Sequence, residues 1–204
     1  MSGSEYAPPS GSAFPPVLDA CCGGRMMWFN KRHPAALYMD KRHETVTWEG
    51  DETVPGREDK RHRVRTLEIA PDVQADFTDM PFPDGTFSLV VFDPPHFTSL
   101  GKTSATAKRY GRLFGDWETE LAAGFRECFR VLRPEGVLVF KWNSHDVPLN
   151  RVLALAPTGP LFGHTTGRQS KTHWVAFLKP NAHPHGTAAP AGTVQGDVGF
   201  REGQ

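Results

Sequence analysis

Residues 88 to 96 read SLVVFDPPH. The uninterrupted apolar run 89–92 is typical of a parallel strand that is covered on both faces of a sheet. Because the run stops at Asp93, two prolines and His96, it delivers an acid, a rigid corner and an aromatic ring to the carboxyl tip of that strand. We therefore expect this stretch to be the central strand of the fold and to carry a functional site at its end.

Patterns of strands and helices alternate on both sides of this stretch. Short apolar runs precede it, and Asp19, Asp40 and Asp76 lie at or near their ends. Downstream, apolar residues at helical spacing predict a helix over 116–133, and the segment GVLVFKW predicts another strand. A short helix over 147–157 and a last strand in THWVAFLK are expected after it. The alternation predicts an α/β fold with an open, mostly parallel sheet flanked by helices. An alternating stretch with a polar centre, over 45–69, predicts an inserted β-hairpin.

Composition indicates one domain with unstructured ends. The chain has 204 residues, which is enough for one full core, and it contains 20 glycines and 18 prolines. The ends are rich in small residues, proline and glycine, so we expect disordered tails over 1–13 and 181–204 and a folded domain over 14–180. Lysine plus arginine equals aspartate plus glutamate at 23 each, so binding to nucleic acid would depend on local patches.

The sequence carries no signal for export or for a membrane. It has no apolar N-terminal segment with a basic lead and no apolar run of about eighteen residues. The three cysteines form neither a disulfide framework nor a metal-ligand spacing. We therefore expect a cytoplasmic protein, in a bacterial or phage-infected cell, with no metal and no membrane partner. The oligomeric state is not indicated.

The acids at the strand ends predict a shared crevice. One acid after a strand is usually a turn former or a helix cap, but four of them at carboxyl ends favour a ligand site. Gly23 and Gly24 follow Asp19 and would let a ligand approach the backbone closely. Asp40 occupies the place where an acid binds ribose hydroxyls in nucleotide-binding folds. These residues predict an adenosine-containing cofactor, either a nicotinamide cofactor or S-adenosylmethionine.

The corner formed by Asp93, Pro94, Pro95 and His96 favours S-adenosylmethionine. Prolines lack backbone donors, so the corner presents carbonyl and carboxylate acceptors that suit a target amino group. An aromatic ring beside them can stack on a base, which contributes about 1–3 kcal/mol per base. The alternative interpretation is a rigid turn followed by a surface histidine.

Several segments resemble a known family. In this order, VLDACCGG, LYMD, ADFTDMPFPDGTFSLVVFDPPH and CFRVLRPEGVLVFKW are similar to the class I S-adenosylmethionine-dependent methyltransferases, specifically the amino-methyltransferases of DNA and RNA. Small phage and bacterial proteins of that superfamily carry FDPPH and an ending of the type LFGH…SKTHW, as residues 161–174 do here. The resemblance extends over residues 16–178. It implies a Rossmann-like fold with a seven-stranded sheet.

The resemblance also implies residue roles. Asp93, Pro94, Pro95 and His96 would hold the target amino group. Arg25 replaces the usual last glycine of the turn, and His96 stands where tyrosine, phenylalanine or tryptophan is commoner. Protonation of His96 would place a cation at the stacking position. The cofactor-binding residues implied are Asp19, Ala20, Cys21, Cys22, Gly23, Gly24, Asp40, Lys41, Asp76 and Phe77.

A basic loop follows the corner. Residues 97–115 contain four lysines and arginines and no acid, so this loop is expected to bind phosphates or to close as a lid. A second basic stretch, 57–65, has five basic residues and two acids and is either a second binding patch or solvated surface. The expected substrate-binding residues are Phe97, Lys102, Lys108, Arg109, Tyr110 and Arg112.

The leading hypothesis is a DNA amino-methyltransferase that acts on N6 of adenine, ahead of N4 of cytosine, and releases S-adenosylhomocysteine. RNA is the next substrate considered. A methyltransferase of a small-molecule or protein amine is a second hypothesis, and a binding module without activity is a third.

Overall fold

The computed structural model describes residues 13–53, 60–99, 101, 104–113, 115–165 and 171–181. The predicted tails lie outside these residues except for their innermost positions. The helices are α1 (Ala105–Tyr110), α2 (Trp117–Val131) and α3 (Leu149–Leu153). The strands are β1 (Val17–Asp19), β2 (Ala36–Asp40), β3 (Glu44–Thr53), β4 (Lys60–Ile69), β5 (Val73–Gln74), β6 (Phe87–Phe92), β7 (Leu132–Asn143), β8 (Phe162–Thr165) and β9 (Thr172–Leu178).

Seven strands form one sheet in the order β5-β2-β1-β6-β7-β9-β8. Neighbouring strands are parallel from β5 through to β7, and β9 runs antiparallel to both β7 and β8. The chain begins in the interior of the sheet with β1, proceeds to the edge strand β5, and then returns through β6 and β7 to form the other edge with β8 and β9. This is a Rossmann-like α/β fold with a mostly parallel seven-stranded sheet. The predicted fold class is therefore confirmed.

The main core lies between the sheet and α2. Asp116 caps α2 by accepting a hydrogen bond from the backbone nitrogen of Thr119 at 3.2 Å, and acids occupy the first turn, where the helix dipole favours them. Leu121, Phe125 and Cys128 of α2 are fully buried against the sheet. The sheet residues in this core alternate along their strands, as expected for one face: Leu18, Leu37, Met39, Val90, Phe92, Leu138, Phe140, Trp142, Val175 and Phe177.

The predicted hairpin is present as β3 and β4. These strands pair antiparallel along ten residues each and form a separate two-stranded sheet. Three details differ from the sequence-based expectations. The segment 97–115, predicted as a loop, contains α1. The helix expected near 147–157 is limited to α3. The edge strand β8 was not predicted, because its short, mostly polar segment shows no strand pattern by itself.

Among the described residues, no helix has the length and apolar character needed to cross a membrane.

Candidate active site

The carboxyl ends of β2, β1 and β6 lie side by side, and each places an acid there. Asp40 ends β2, Asp19 ends β1, and Asp93 directly follows β6. Asp19 and Asp40 are both buried. Asp76 follows β5 at the neighbouring edge position. The four acids predicted from the sequence are thus brought to one end of the sheet, which is the end where α/β folds bind ligands.

Asp19 lies at the base of the glycine turn. Its carboxylate accepts hydrogen bonds from the Trp28 indole at 2.7 Å and from the backbone nitrogen of Cys21 at 3.3 Å. Burial nevertheless raises the pKa of Asp19 to about 7, with smaller contributions from the charges of Asp93 and Asp40. A cationic group placed beside Asp19 would favour its ionised form.

Asp40 joins the turn to the rest of the site. It accepts hydrogen bonds from the backbone nitrogens of Gly23 at 2.8 Å and Arg42 at 2.9 Å. The Arg42 guanidinium then crosses to α1, where it donates to the carbonyl of Lys108 at 3.0 Å. Because a carboxylate offers about four acceptor positions, Asp40 keeps capacity for another donor. Arg42 therefore links the glycine turn to α1.

Gly24 lies in close contact with the inserted hairpin. A Cβ atom at this position would lie 2.3 Å from Cδ1 of Leu67 in β4. Leu67 thus rests directly on the glycine turn. The sequence analysis predicted that Gly24 lets a ligand approach the backbone closely. The structure shows that Leu67 of the hairpin is a close neighbour of Gly24 as well, and the ligand prediction stays open.

Replacing Gly24 with alanine is expected to destabilise the protein by about 1–3 kcal/mol, because Leu67 must move. The cost should largely disappear when Leu67 is also alanine. Urea denaturation of the two single variants and the double variant measures this coupling. Gly159→Ala is the matched control, since nothing lies within 4 Å of its added Cβ. An equal cost of Gly24→Ala in both backgrounds would contradict the packing explanation.

Arg25 replaces a glycine without entering the site. Its backbone has φ of 54°, the left-handed conformation that glycine adopts most easily. Its guanidinium lies 3.8 Å from the centroid of the Tyr38 ring and donates to the carbonyls of Lys31 and Ala70, each at 2.8 Å, and to Asp72. The side chain is thereby held away from the strand tips. Arg25 thus keeps the left-handed backbone conformation that a glycine would adopt most easily at this turn.

Asp93 is paired with a lysine that the sequence analysis did not select. Lys141 Nζ lies 2.5 Å from Asp93 Oδ2. The two residues are neighbours because β6 and β7 pair in parallel, with Phe92 beside Phe140. Burial raises the pKa of Asp93, while the charge of Lys141 and its hydrogen bond oppose that rise. Lys141 therefore favours the ionised carboxylate.

The His96 ring is oriented and kept uncharged. It forms a hydrogen bond with the backbone carbonyl of Pro94, and its centroid lies 4.3 Å from that of Phe97 and 6.2 Å from that of Tyr110. Burial, together with the charge of Lys141, lowers the pKa of His96 to about 4. The cation considered in the sequence analysis is therefore absent at neutral pH, and the ring is free to act as a neutral aromatic surface.

This neutral state predicts an unusual titration. The imidazole resonance of His96, assigned with a His96→Gln variant, should keep its chemical shift from pH 8 to about pH 5 and change only near pH 4. The sign follows from the lowered pKa, because the folded protein binds the proton only at more acidic pH than the unfolded chain does. Proton NMR measures the midpoint. A midpoint near the usual 6.5 would contradict the buried, lysine-facing position.

A cleft of about 70 Å³ separates the glycine turn from the corner. A larger, open hollow of about 430 Å³ lies beside Arg32 and His33, near the start of β2 and away from the corner. We regard the smaller cleft as the candidate site, since it joins the two predicted halves. Its lining residues are Cys21, Cys22, Gly23, Gly24, Met26, Met27, Arg42, Asp93, Pro94, His96, Arg109, Tyr110 and Lys141.

Six predicted cofactor residues are not among the lining residues of this cleft: Asp19, Ala20, Asp40, Lys41, Asp76 and Phe77. Ala20 is buried, and Phe77 belongs to the main core, where its ring centroid lies 5.3 Å from that of Phe92. Lys41 and Asp76 form an ion pair, with 2.6 Å between Nζ of Lys41 and Oδ2 of Asp76. Burial raises the pKa of the Cys21 thiol well above its usual range and that of Cys22 to about 12. Both thiols are therefore protonated at neutral pH, in keeping with a packing role.

The predicted substrate residues lie on and around α1. Arg109 has its guanidinium carbon 4.8 Å from the centroid of the Tyr110 ring and 5.2 Å from that of Trp48 in β3. Lys108 is exposed, and Arg112 is half-buried. Lys102 lies outside the described residues. The predicted lid therefore joins the inserted hairpin through Arg109 and Trp48.

The sequence interpretation missed six side chains of the site: Met26, Met27, Trp28, Arg42, Trp48 and Lys141. A signal existed only for Lys141, a charged residue inside an otherwise apolar strand segment. Among the described residues, no group of histidine, cysteine, aspartate and glutamate could hold a metal ion.

No protein-family model matches the chain, and no curated protein matches it in sequence. Among solved structures, the PH0226 protein from Pyrococcus horikoshii OT3 is similar at 15% identity, with a TM-score of 0.49 and 81% of each chain covered. A variant of the 16S rRNA (adenine(1408)-N(1))-methyltransferase from Catenulisporales acidiphilia is similar at 11% identity, with a TM-score of 0.43, covering 83% of this chain and 87% of that one. The assignment of the fold rests on the strand order.

Proposed function

We propose that the protein is an S-adenosylmethionine-dependent methyltransferase that acts on an exocyclic amino nitrogen of a nucleic-acid base, with N6 of adenine in DNA first and N4 of cytosine second. The observation that carries this proposal is the position of the corner. Asp93, Pro94 and His96 form one wall of a cleft whose other wall is the glycine turn. Acceptors for an amino group thus face a turn suited to a cofactor.

The residues fit S-adenosylmethionine in their chemistry. Gly23 has no side chain and a φ of 48°, Asp40 retains acceptor capacity, and Asp19 would be favoured in its ionised form by a cationic cofactor. The cleft must widen before S-adenosylmethionine can enter, because small-molecule sites have volumes of about 300–1,000 Å³ and this cleft is smaller. Arg42, which bridges Asp40 and α1, is the side chain whose displacement would enlarge it.

Asp93 would orient and activate the target. When bound, S-adenosylmethionine supplies an electrophilic methyl group. An exocyclic amino group is a weak nucleophile, because its lone pair is delocalised into the base. Asp93 would accept a hydrogen bond from that amino group and favour a more tetrahedral nitrogen. Pro94 has one carbonyl lone pair left after bonding His96, and it would accept the second amino hydrogen. Positioning and electrostatics would supply the rate enhancement.

His96 and Lys141 would support this geometry. The neutral His96 ring would stack on the base, and its bond to Pro94 would fix its plane. Lys141 would keep Asp93 ionised, since its ammonium group is 2.5 Å from the carboxylate. The nitrogen gains a methyl group and must lose a proton. The Asp93 carboxylate, already hydrogen-bonded to that nitrogen, is placed to accept this proton.

A direct test supplies the protein with labelled S-adenosylmethionine and separate pools of DNA, RNA and small amines. We expect label in DNA, recovered after digestion as N6-methyladenosine or N4-methylcytidine in the deoxy form. Asp93→Ala is the matched inactive variant. Label in RNA alone would change the substrate to RNA, label in the amine pool alone would overturn the nucleic-acid assignment, and equal transfer by wild type and variant would overturn the role of Asp93.

Binding of the cofactor can be tested separately. Titration calorimetry should show heat with S-adenosylmethionine, and thermal denaturation should show stabilisation that grows with its concentration. The absence of both effects would favour a binding module without activity.

A further inference from the structure

The inserted hairpin is longer than the elements that it joins. Strands β3 and β4 each have ten residues, which corresponds to about 33 Å at the rise of an antiparallel strand. Its base packs on the domain, since Ile69 and Val46 are buried and Leu67 rests on Gly24. Further along, Val64 is exposed. The hairpin is therefore a two-stranded ribbon that is anchored at one end beside the glycine turn.

The two faces of the ribbon carry different charges over its middle part. Residues on adjacent strands that pair across the ladder share a face, and successive residues alternate between faces. We call one surface the Trp48 face and the other the outer face. Over positions 46–50 and 63–67, the Trp48 face carries two arginines and no acid, and the outer face carries Glu49; Glu44 lies at the base of the Trp48 face. The Trp48 face consists of Val46, Trp48, Gly50, Arg63, Arg65 and Leu67, and the outer face there consists of Thr47, Glu49, Val64 and Thr66.

The Trp48 face is continuous with the cleft. Arg109 of α1 lies over both Trp48 and Tyr110, and Arg109 and Tyr110 line the cleft. The Nε atom of Arg109 is buried and has no hydrogen-bond partner within the described part of the chain. Since buried polar atoms are normally paired, this group is suited to a ligand acceptor. Aromatic and guanidinium groups thus run from the mouth of the cleft onto the ribbon.

We propose that the Trp48 face and α1 together bind the phosphodiester backbone of the nucleic acid whose base enters the cleft. The proposal rests on the proposed function and adds the element that holds the substrate. Arginines bind phosphates with paired donors, and aromatic rings stack on unpaired bases. A two-stranded ribbon also has the width that the major groove of duplex DNA accepts. The local excess of arginine in the middle of this face would allow a chain with formal net charge +0 to bind a polyanion.

The test compares two double variants with the same change in charge. Arg63→Gln with Arg65→Gln removes two positive charges from the Trp48 face. Val64→Glu with Thr66→Glu adds two negative charges to the outer face, where both side chains are exposed. Binding of labelled DNA and RNA oligonucleotides of one sequence is measured by anisotropy at several salt concentrations. Circular dichroism and S-adenosylmethionine binding establish that both variants are folded and retain the cofactor site.

The first variant should bind about tenfold more weakly, and its slope of log K against log salt should fall by about 1–2, because phosphate contacts are lost. The outer-face variant should keep the wild-type slope. Equal weakening by both variants, or wild-type binding by the first, overturns the ribbon proposal while leaving the methyltransferase proposal intact. If the wild-type protein binds neither DNA nor RNA, a nucleic-acid substrate is overturned as well. The DNA and RNA arms identify which backbone is preferred.

Discussion

Asp93→Ala is expected to lower kcat for methyl transfer by about 10²–10³-fold, the usual cost of removing one group that stabilises a transition state. Asp93 is the only carboxylate among the lining residues of the cleft in the described structure. The cofactor affinity should change little, because Asp93 lies on the wall opposite the glycine turn. Single-turnover kinetics with labelled S-adenosylmethionine measures the effect.

Asp93→Asn is the conservative control for this variant. It preserves the shape of the side chain and one acceptor oxygen, yet it loses the charge that Lys141 neutralises. We expect it to be impaired as well, because a neutral amide is a poor acceptor for the proton of the methylated nitrogen. Wild-type kcat in either variant, with normal folding, would remove Asp93 from the proposed mechanism.

Lys141→Met is expected to move the acid limb of the pH profile of kcat to higher pH. Activity requires ionised Asp93 and is lost as pH falls through its pKa. Lys141 lowers that pKa, so its removal raises the pKa and brings the loss of activity closer to neutral pH. An opposite charge in contact commonly shifts a carboxyl pKa by about 1–3 units, which sets the expected displacement. The pH dependence of kcat measures it.

Lys141→Arg keeps the charge and serves as the control, and it should retain an acid limb close to that of wild type. Thermal denaturation must accompany both variants, because removing one partner of this partly buried ion pair also destabilises the fold. A loss of activity that is the same at every pH would indicate a structural role for Lys141 and would contradict its action through Asp93.

The parts of the fold that depend on local pattern could be predicted from the sequence. Continuous apolar runs identified β2 and β6, and helical spacing with an N-terminal acid identified α2. Acids at strand ends also predicted correctly that Asp19, Asp40 and Asp93 meet, because parallel strands bring their carboxyl ends to one edge.

The features that the sequence did not predict depend on strand register and on contacts between distant segments. Only the pairing of Phe92 with Phe140 places Lys141 beside Asp93, and a pattern within one strand cannot supply that register. Likewise, the strand β8 exists through its pairing with β9. The role of Gly24 depends on Leu67, more than forty positions later, which is visible only once the hairpin packs on the turn.

The bridge made by Arg42 has a consequence for the order of events during turnover. One guanidinium contacts both Asp40, on the cofactor side, and the Lys108 carbonyl, on the α1 wall. A movement of Arg42 that frees Asp40 for the cofactor would also break its hydrogen bond to the Lys108 carbonyl. Binding of the cofactor and binding of the nucleic acid would therefore both depend on the position of Arg42. By thermodynamic reciprocity, each ligand would alter the affinity of the protein for the other by the same factor.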